Sequence, residues 1–269
     1  MKKYQYLRAF GILLAVILFY SDHLLAQTTA TPPPDPGITI YQYRRVPNDK
    51  VAEFIKRETT YWAEVAQKAL AKGNLTFWAL LEKQGEIDME ESSNFLFINT
   101  YKNIDAVGEV WGGAAAAFPN ISMDKMETNS MSTVTSNIFV RSDGWQQAAN
   151  AIPDKDFNFL RMIYHKTNSA ADLIAMEKKH WAPFIKSAMD KNQTTQKGWG
   201  NARALSPLGP EMFSTVSYDL YSSLKEALNP TWDPNTVMPT EGLEAINKLE
   251  TAERVQVVYR IVKAVNANQ

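Results

Sequence analysis

Glu58 and Trp62 lie about one helical turn apart, and the same pair returns 119 residues later as Glu177 and Trp181. Glu58 falls on the line of Val51, Ile55, Trp62 and Val65, and Glu177 sits between Ile174 and Trp181. A carboxylate on an apolar stripe must reach the rim, meet a basic partner or hold its proton more tightly than usual. Facing a cavity, each Glu could accept a hydrogen bond from a ligand or take up a proton. The competing arrangement is an ion pair with an inward arginine: Arg44 or Arg141 for the first copy, and Arg161, Arg203 or Arg260 for the second. Arg141 and Arg260 are themselves 119 residues apart, which favours a repeated pair.

The two copies differ beside the tryptophan, where Tyr61 is matched by His180. Imidazole can act as a base near neutral pH, so Glu177 and His180 form the candidate catalytic pair, with Arg203 available to hold an anionic substrate. His165 follows the first β-rich run of the second copy. His165, His180 and Glu177 could compose a two-histidine, one-carboxylate metal set, but no HxH or HExxH spacing supports it and no metal is expected. Trp62, Trp78, Trp181 and Trp199, joined by Tyr41, Tyr43 and Tyr101, are core-packing residues by default. A cavity left between those rings would suit an apolar or aromatic small molecule. No GxGxxG, GxxxxGK[ST] or GxSxG run occurs, and no cofactor is expected.

The elements that must position these residues also come twice. Ile38–Val46 alternates like a half-buried strand, residues 50–72 carry one apolar helical stripe, and strands follow at Leu75–Glu82 and Phe95–Tyr101. In the second copy the order is Phe159–Tyr164, a helix over Ser169–Lys191 that Pro183 should kink, then Gly198–Leu205 and Phe213–Tyr218. Short helices are expected at Ile104–Ala117 and Ser222–Leu228. The fourth strand is weakly marked in both copies. Met123–Trp145 reads as a helix, with a short strand at Asn137–Arg141 as the alternative. Glu241–Val265 has helical spacing, but its β-branched end leaves Val255–Val262 open between helix and strand.

Strand, helix, strand, strand, helix is the opening of a ferredoxin-like unit. The expected class is α+β, two ferredoxin-like units in tandem over residues 38–152 and 153–269. In its order of elements and its duplication, the stretch from Ile38 to about Val265 resembles the dimeric α/β-barrel group, in which two such units pack through their sheets. That group includes cofactor-free monooxygenases, haem-linked enzymes and small-molecule binders, so the resemblance implies a fold and leaves the function open. The readings carried forward are a small-molecule-binding protein, a cofactor-free oxygenase or isomerase-like enzyme, and a structural or interaction module of the cell envelope.

Lys2, Lys3 and Arg8 before the apolar run Phe10–Tyr20, with Ala26 as a small-residue exit, read as a secretory leader cut after residue 26. Residues 27–37, with Pro32, Pro33, Pro34 and Pro36, read as an extended tether. The expectation is an exported protein, periplasmic or extracellular, a monomer or homodimer without stable membrane insertion once the leader is removed. The formal net charge of -1 offers no positive field for a phosphate backbone, which argues against nucleic acid as a partner. With no cysteine at all, stability must come from packing.

Overall fold

The computed structural model describes residues 37–85 and 92–266. The leader and most of the tether lie outside the described residues, as do residues 86–91. Eight strands form a closed barrel: β1 (Ile38–Arg45), β2 (Leu75–Gln84), β3 (Phe95–Tyr101), β4 (Thr133–Gln147), β5 (Phe159–His165), β6 (Gly198–Ser206), β7 (Thr215–Tyr221) and β8 (Val255–Asn266). Their spatial order is β1-β3-β2-β8-β5-β7-β6-β4. Read from β4, this is the order fourth-first-third-second, given twice. The chain is therefore two ferredoxin-like units in tandem, each laying its fourth strand against the other unit's second strand.

Closure explains the length of the fourth strands. β4 pairs with β1 on one side and β6 on the other, and β8 pairs with β5 and β2, so no strand is left with an unpaired edge. The helix expected over Met123–Trp145 is instead a single turn, Met123–Met126, followed by β4. The closing segment divides into a helix, Thr240–Asn247, and β8.

Alternation along each strand separates two apolar layers. Tyr41, Leu81, Leu96, Val140, Met162 and Tyr259 belong to the cluster inside the barrel. Trp78, Leu80, Phe95, Phe97 and Tyr101 face outward and pack under the first long helix. Tyr43 and Tyr164, equivalent residues of β1 and β5, meet inside the barrel with hydroxyls 3.0 Å apart. On β6, a side chain at Gly200 would run into the Tyr218 ring at 2.5 Å, so glycine is what lets that ring lie flat against the strand.

Each unit has one long helix on the outside of the barrel, α1 over 51–71 and α3 over 170–190, interrupted at equivalent places by a π-helical turn, Glu58–Trp62 and Glu177–Trp181. The amide of Ala63 reaches back to the Glu58 carbonyl, and that of Ala182 to the Glu177 carbonyl, each one residue further than in an α-helix. The extra residue advances the buried face, from Phe54 and Glu58 before the turn to Ala63, Ala66 and Leu70 after it. Pro183 stands in the first turn after the π segment. Since α1 has the same turn without a proline, Pro183 is not its cause. Both helices end on a left-handed residue, Gly73 and Asn192, and the next amide reaches back to the carbonyl of Ala69 or Ala188. The remaining helices used below are α2 (Val107–Gly112), α4 (Leu224–Leu228) and α5 (Thr240–Asn247).

Candidate functional site

Both repeated carboxylates are buried, each with 4 % of its surface exposed, at the first residue of a π turn and facing the outer surface of the barrel. Among the described residues no arginine forms an ion pair with either. The arginines expected there are engaged elsewhere: Arg161 with Asp219, Arg203 with Asp143 and Arg260 with Glu82. Arg44 donates to Gln42 and Ser132 and lies over the Phe97 ring, and it acts on Glu58 only through its field. The repeated arginine pair suggested by spacing is therefore not formed.

In the first unit the Thr128 hydroxyl donates to Glu58 Oε1 at 2.6 Å. Burial pushes this carboxyl up to about 7, and the Thr128 bond and the Arg44 charge offset only part of that. Trp62 donates its indole N–H to the Met126 carbonyl at 2.9 Å, and Trp111 bonds the Tyr101 hydroxyl at 2.7 Å, so these rings have structural partners.

The second unit holds a larger polar cluster. Asn201 of β6 donates from Nδ2 to Glu177 Oε2 at 2.8 Å, and His165 at the end of β5 places Nε2 4.0 Å from Glu177 Oε1. The same Nε2 is 2.8 Å from the Ser217 hydroxyl on β7, while Nδ1 is 2.8 Å from Glu250 Oε1. Arg254 donates to that Glu250 oxygen at 2.6 Å and to Asn247 at 2.5 Å, and it is exposed to solvent. Burial raises the Glu177 pKa against the favourable effects of Asn201, His165 and Arg254, and the negative field of Glu250 adds to the rise. At Glu250 burial acts in the same direction but is outweighed by His165 and Arg254, which hold it below its ordinary value. Two neighbouring carboxyls are thus pushed apart, the pattern that separates proton donor from acceptor in acid–base sites. Asn201 Oδ1, Thr215 Oγ1 and Glu250 Oε2 are buried around this cluster without a hydrogen-bond partner. Such orphans mark places where water or a ligand group would be satisfied.

Ser217, His165 and Glu250 stand in the order of a nucleophile, a base and its orienting acid. Ser217 is, however, buried, and its hydroxyl lies against His165 with no open face for a substrate carbonyl. The arrangement is better suited to moving protons than to acyl transfer.

The other candidates fall in several places. Tyr41 and Tyr43 are inside the barrel, separate from both carboxylates. Trp78 packs with the α1 core, and Trp199 with Ile185 and Met189. Trp181 forms a half-buried aromatic group with Phe184 and Trp232. The Arg203 guanidinium is occupied by a two-bond pair with Asp143, so it is not open to an anionic substrate. His180 lies against Gly242 of α5, where a Cβ would come within 2.5 Å of its own, and does not join His165. Among the described residues no three His, Asp or Glu side chains are grouped to hold a metal ion. Both ring nitrogens of His165 are hydrogen-bonded, so this histidine offers no free nitrogen as an axial ligand to a haem. Glu250 and Ser217 are cluster members that sequence reasoning did not find.

Two surface clefts occupy equivalent positions on the long helices. One, of about 130 Å³, lies where α1 meets α2, beside Lys68 and Lys72; the other, of about 260 Å³, lies beside Phe184, Lys191 and Thr236. Neither is lined by Glu58 or Glu177. The aromatic clusters beside these helices offer the kind of surface a small apolar or aromatic molecule uses. Among the described residues no helix is long and apolar enough to cross a membrane.

A barrel built from two fourth-first-third-second sheets, with a helix outside each, is the dimeric α/β-barrel fold, here with both halves in one chain. Solved structures agree. The chain superimposes on a proposed monooxygenase from Lactobacillus acidophilus NCFM with a TM-score of 0.58 at 12% identity, over 87% of this chain and 97% of that one. On an anthrone oxidase-like protein the TM-score is 0.52 at 11% identity, over 87% and 95%. Identities this low establish a shared fold and nothing finer. No protein-family model matches the sequence, and no curated protein matches it.

Proposed function

We propose that the protein is a cofactor-independent enzyme of the oxygenase or isomerase-like kind, in which Glu177 takes a proton from a carbon acid on an apolar or aromatic small molecule. The observation that carries this reading is Glu177 itself: a buried carboxyl without a cation pair, bonded by Asn201 on one oxygen and open toward His165 on the other. Burial makes it a stronger base than a solvated glutamate, as a general base working near neutral pH must be.

The fold shared with an anthrone oxidase-like protein suggests a substrate to try. Removing the doubly benzylic proton of anthrone leaves a delocalised carbanion that can give electrons to O2. Anthrone and O2 then yield anthraquinone and water, with both benzylic hydrogens leaving in the water. Entry would require α5 and the segment up to Arg254 to lift from the π turn, where Gly242 seats the helix on His180. We further propose export, with the leader removed after Ala26; N-terminal sequencing of the secreted protein tests that part.

Oxygen uptake and quinone formation with anthrone test the activity. Glu177→Gln should lower the rate by about a hundredfold or more, the scale of general-base catalysis, while calorimetry still detects binding of the aromatic ligand. A wild-type rate no faster than buffer, with ligand still bound, would leave the non-catalytic binder as the better reading.

A further inference from the structure

The reading above gives Glu177 a proton but leaves it sealed under a helix, where every turnover must also discharge it. We infer that His165 and Glu250 form a proton exit that carries this proton from Glu177 to solvent beside Arg254. The inference rests on Glu177 as the proton acceptor, but its test needs no substrate.

The geometry is that of an imidazole shuttle. Nε2 faces Glu177 Oε1 at 4.0 Å and Nδ1 is bonded to Glu250 Oε1 at 2.8 Å. A proton arriving at Nε2 from Glu177 allows the Nδ1 proton to leave for Glu250, and the ring ends as the other tautomer. Glu177 becomes the carboxylate, Glu250 the acid, and no charge is created in the interior. Glu250 then loses its proton on the side where exposed Arg254 bonds its Oε1, and a second tautomer shift resets the ring. Ser217, at 2.8 Å from Nε2, must yield or rotate its hydroxyl during the first step. The groups facing Glu177 are Asn201 on β6, His165 on β5, and Glu250 and Arg254 on the segment before β8. Of these, His165 and Glu250 can accept and release a proton, and His165 stands between the two carboxyls. The step to Glu250 runs uphill, since burial favours the acid form of Glu177 and the cation favours the ionised form of Glu250, and it is drawn forward by the ready loss of the proton from Glu250.

The first unit supplies the contrast. The position equivalent to His165 at the end of the first strand is Arg44, and the residue 119 before Glu250 is Met131. A guanidinium does not give up its proton in a protein, and a thioether has none to pass. Glu58 therefore occupies the same place on the same π turn with no comparable exit, and serves as an internal control.

Infrared spectroscopy after a rapid pH jump reads the exit. The carboxyl C=O bands are assigned by their loss in Glu177→Gln and Glu58→Gln. We expect His165→Asn and Glu250→Gln each to slow the Glu177 response at least tenfold, with the Glu58 response unchanged. Imidazole added to a His165→Ala variant should recover part of the rate. If His165→Asn does not fold, Glu250→Gln, which keeps the shape of the side chain, decides alone. An unchanged Glu177 rate in the folded variants would overturn the exit. A missing anthrone activity together with a slowed Glu177 response would overturn the enzyme reading and leave the exit standing.

Discussion

Replacing Glu58 by glutamine isolates the energetic cost of holding a carboxyl under the α1 helix. The group is pushed from 4.5 up to about 7, with burial as the leading cause. Between those values the folded protein keeps a proton that the unfolded chain has released, so stability falls as pH rises through the window and the contribution is gone above about 7. The full difference corresponds to about 3 kcal/mol, and with 4 % exposure little of it is lost to solvent screening. Glutamine keeps an oxygen to accept from Thr128 and cannot ionise. Urea unfolding of the variant and the wild type should therefore give similar stabilities near about pH 4.5, with the variant ahead by about 3 kcal/mol near about pH 8. Glu177 adds a slope of its own to both proteins, so the quantity to read is the difference between them. A difference that does not change with pH, or a wild type that stays ahead at the alkaline end, would refute the reasoning.

Other substitutions probe the packing around the same elements. Trp199→Ala should cost about 3–5 kcal/mol in denaturant unfolding, because the ring is fully buried among Ile185, Met189 and Ala148. Gly200→Ala puts a methyl 2.5 Å from the Tyr218 ring inside a closed barrel and should cost roughly 1–3 kcal/mol, with a change in tyrosine near-ultraviolet circular dichroism. Tyr43→Phe removes one partner of the Tyr164 hydroxyl, which keeps Met162, and should cost about 1 kcal/mol or less. Arg260→Ala breaks a partly exposed pair with Glu82 on the β2–β8 seam and should change stability by less than about 1 kcal/mol.

Much of this architecture is legible in the sequence because each of its signals is local. Ile38–Val46 and Phe95–Tyr101 alternate, residues 50–72 hold one helical stripe, and Glu58 with Trp62 returns as Glu177 with Trp181. The fourth strands are harder to read for a physical reason. β4 and β8 pair with strands of both units, so what fixes them as strands lies across the barrel, while their own residues suit a helix nearly as well. The π turns leave no mark in composition. Read without that extra residue, the apolar positions fit a straight 3.6-residue stripe, and the advance of the buried face from Phe54 to Ala63 goes unseen. Glu250 falls within the stretch Glu241–Val265 as one more polar position beside its apolar stripe, and the histidine it bonds is 85 residues away. The arginine pairing was misread because equal spacing of Arg141 and Arg260 reflects equivalent places on β4 and β8, and neither residue points its charge to a buried glutamate.

The most direct measurement is a static infrared titration of the Glu177 carboxyl, taken as the difference between wild type and Glu177→Gln in the resting protein. A buried carboxyl without a cation pair should show a protonated C=O band that persists well above the ordinary glutamate range. A side chain already ionised within that range would contradict the account, because Glu177 would then be an ordinary carboxylate with no enhanced hold on a proton.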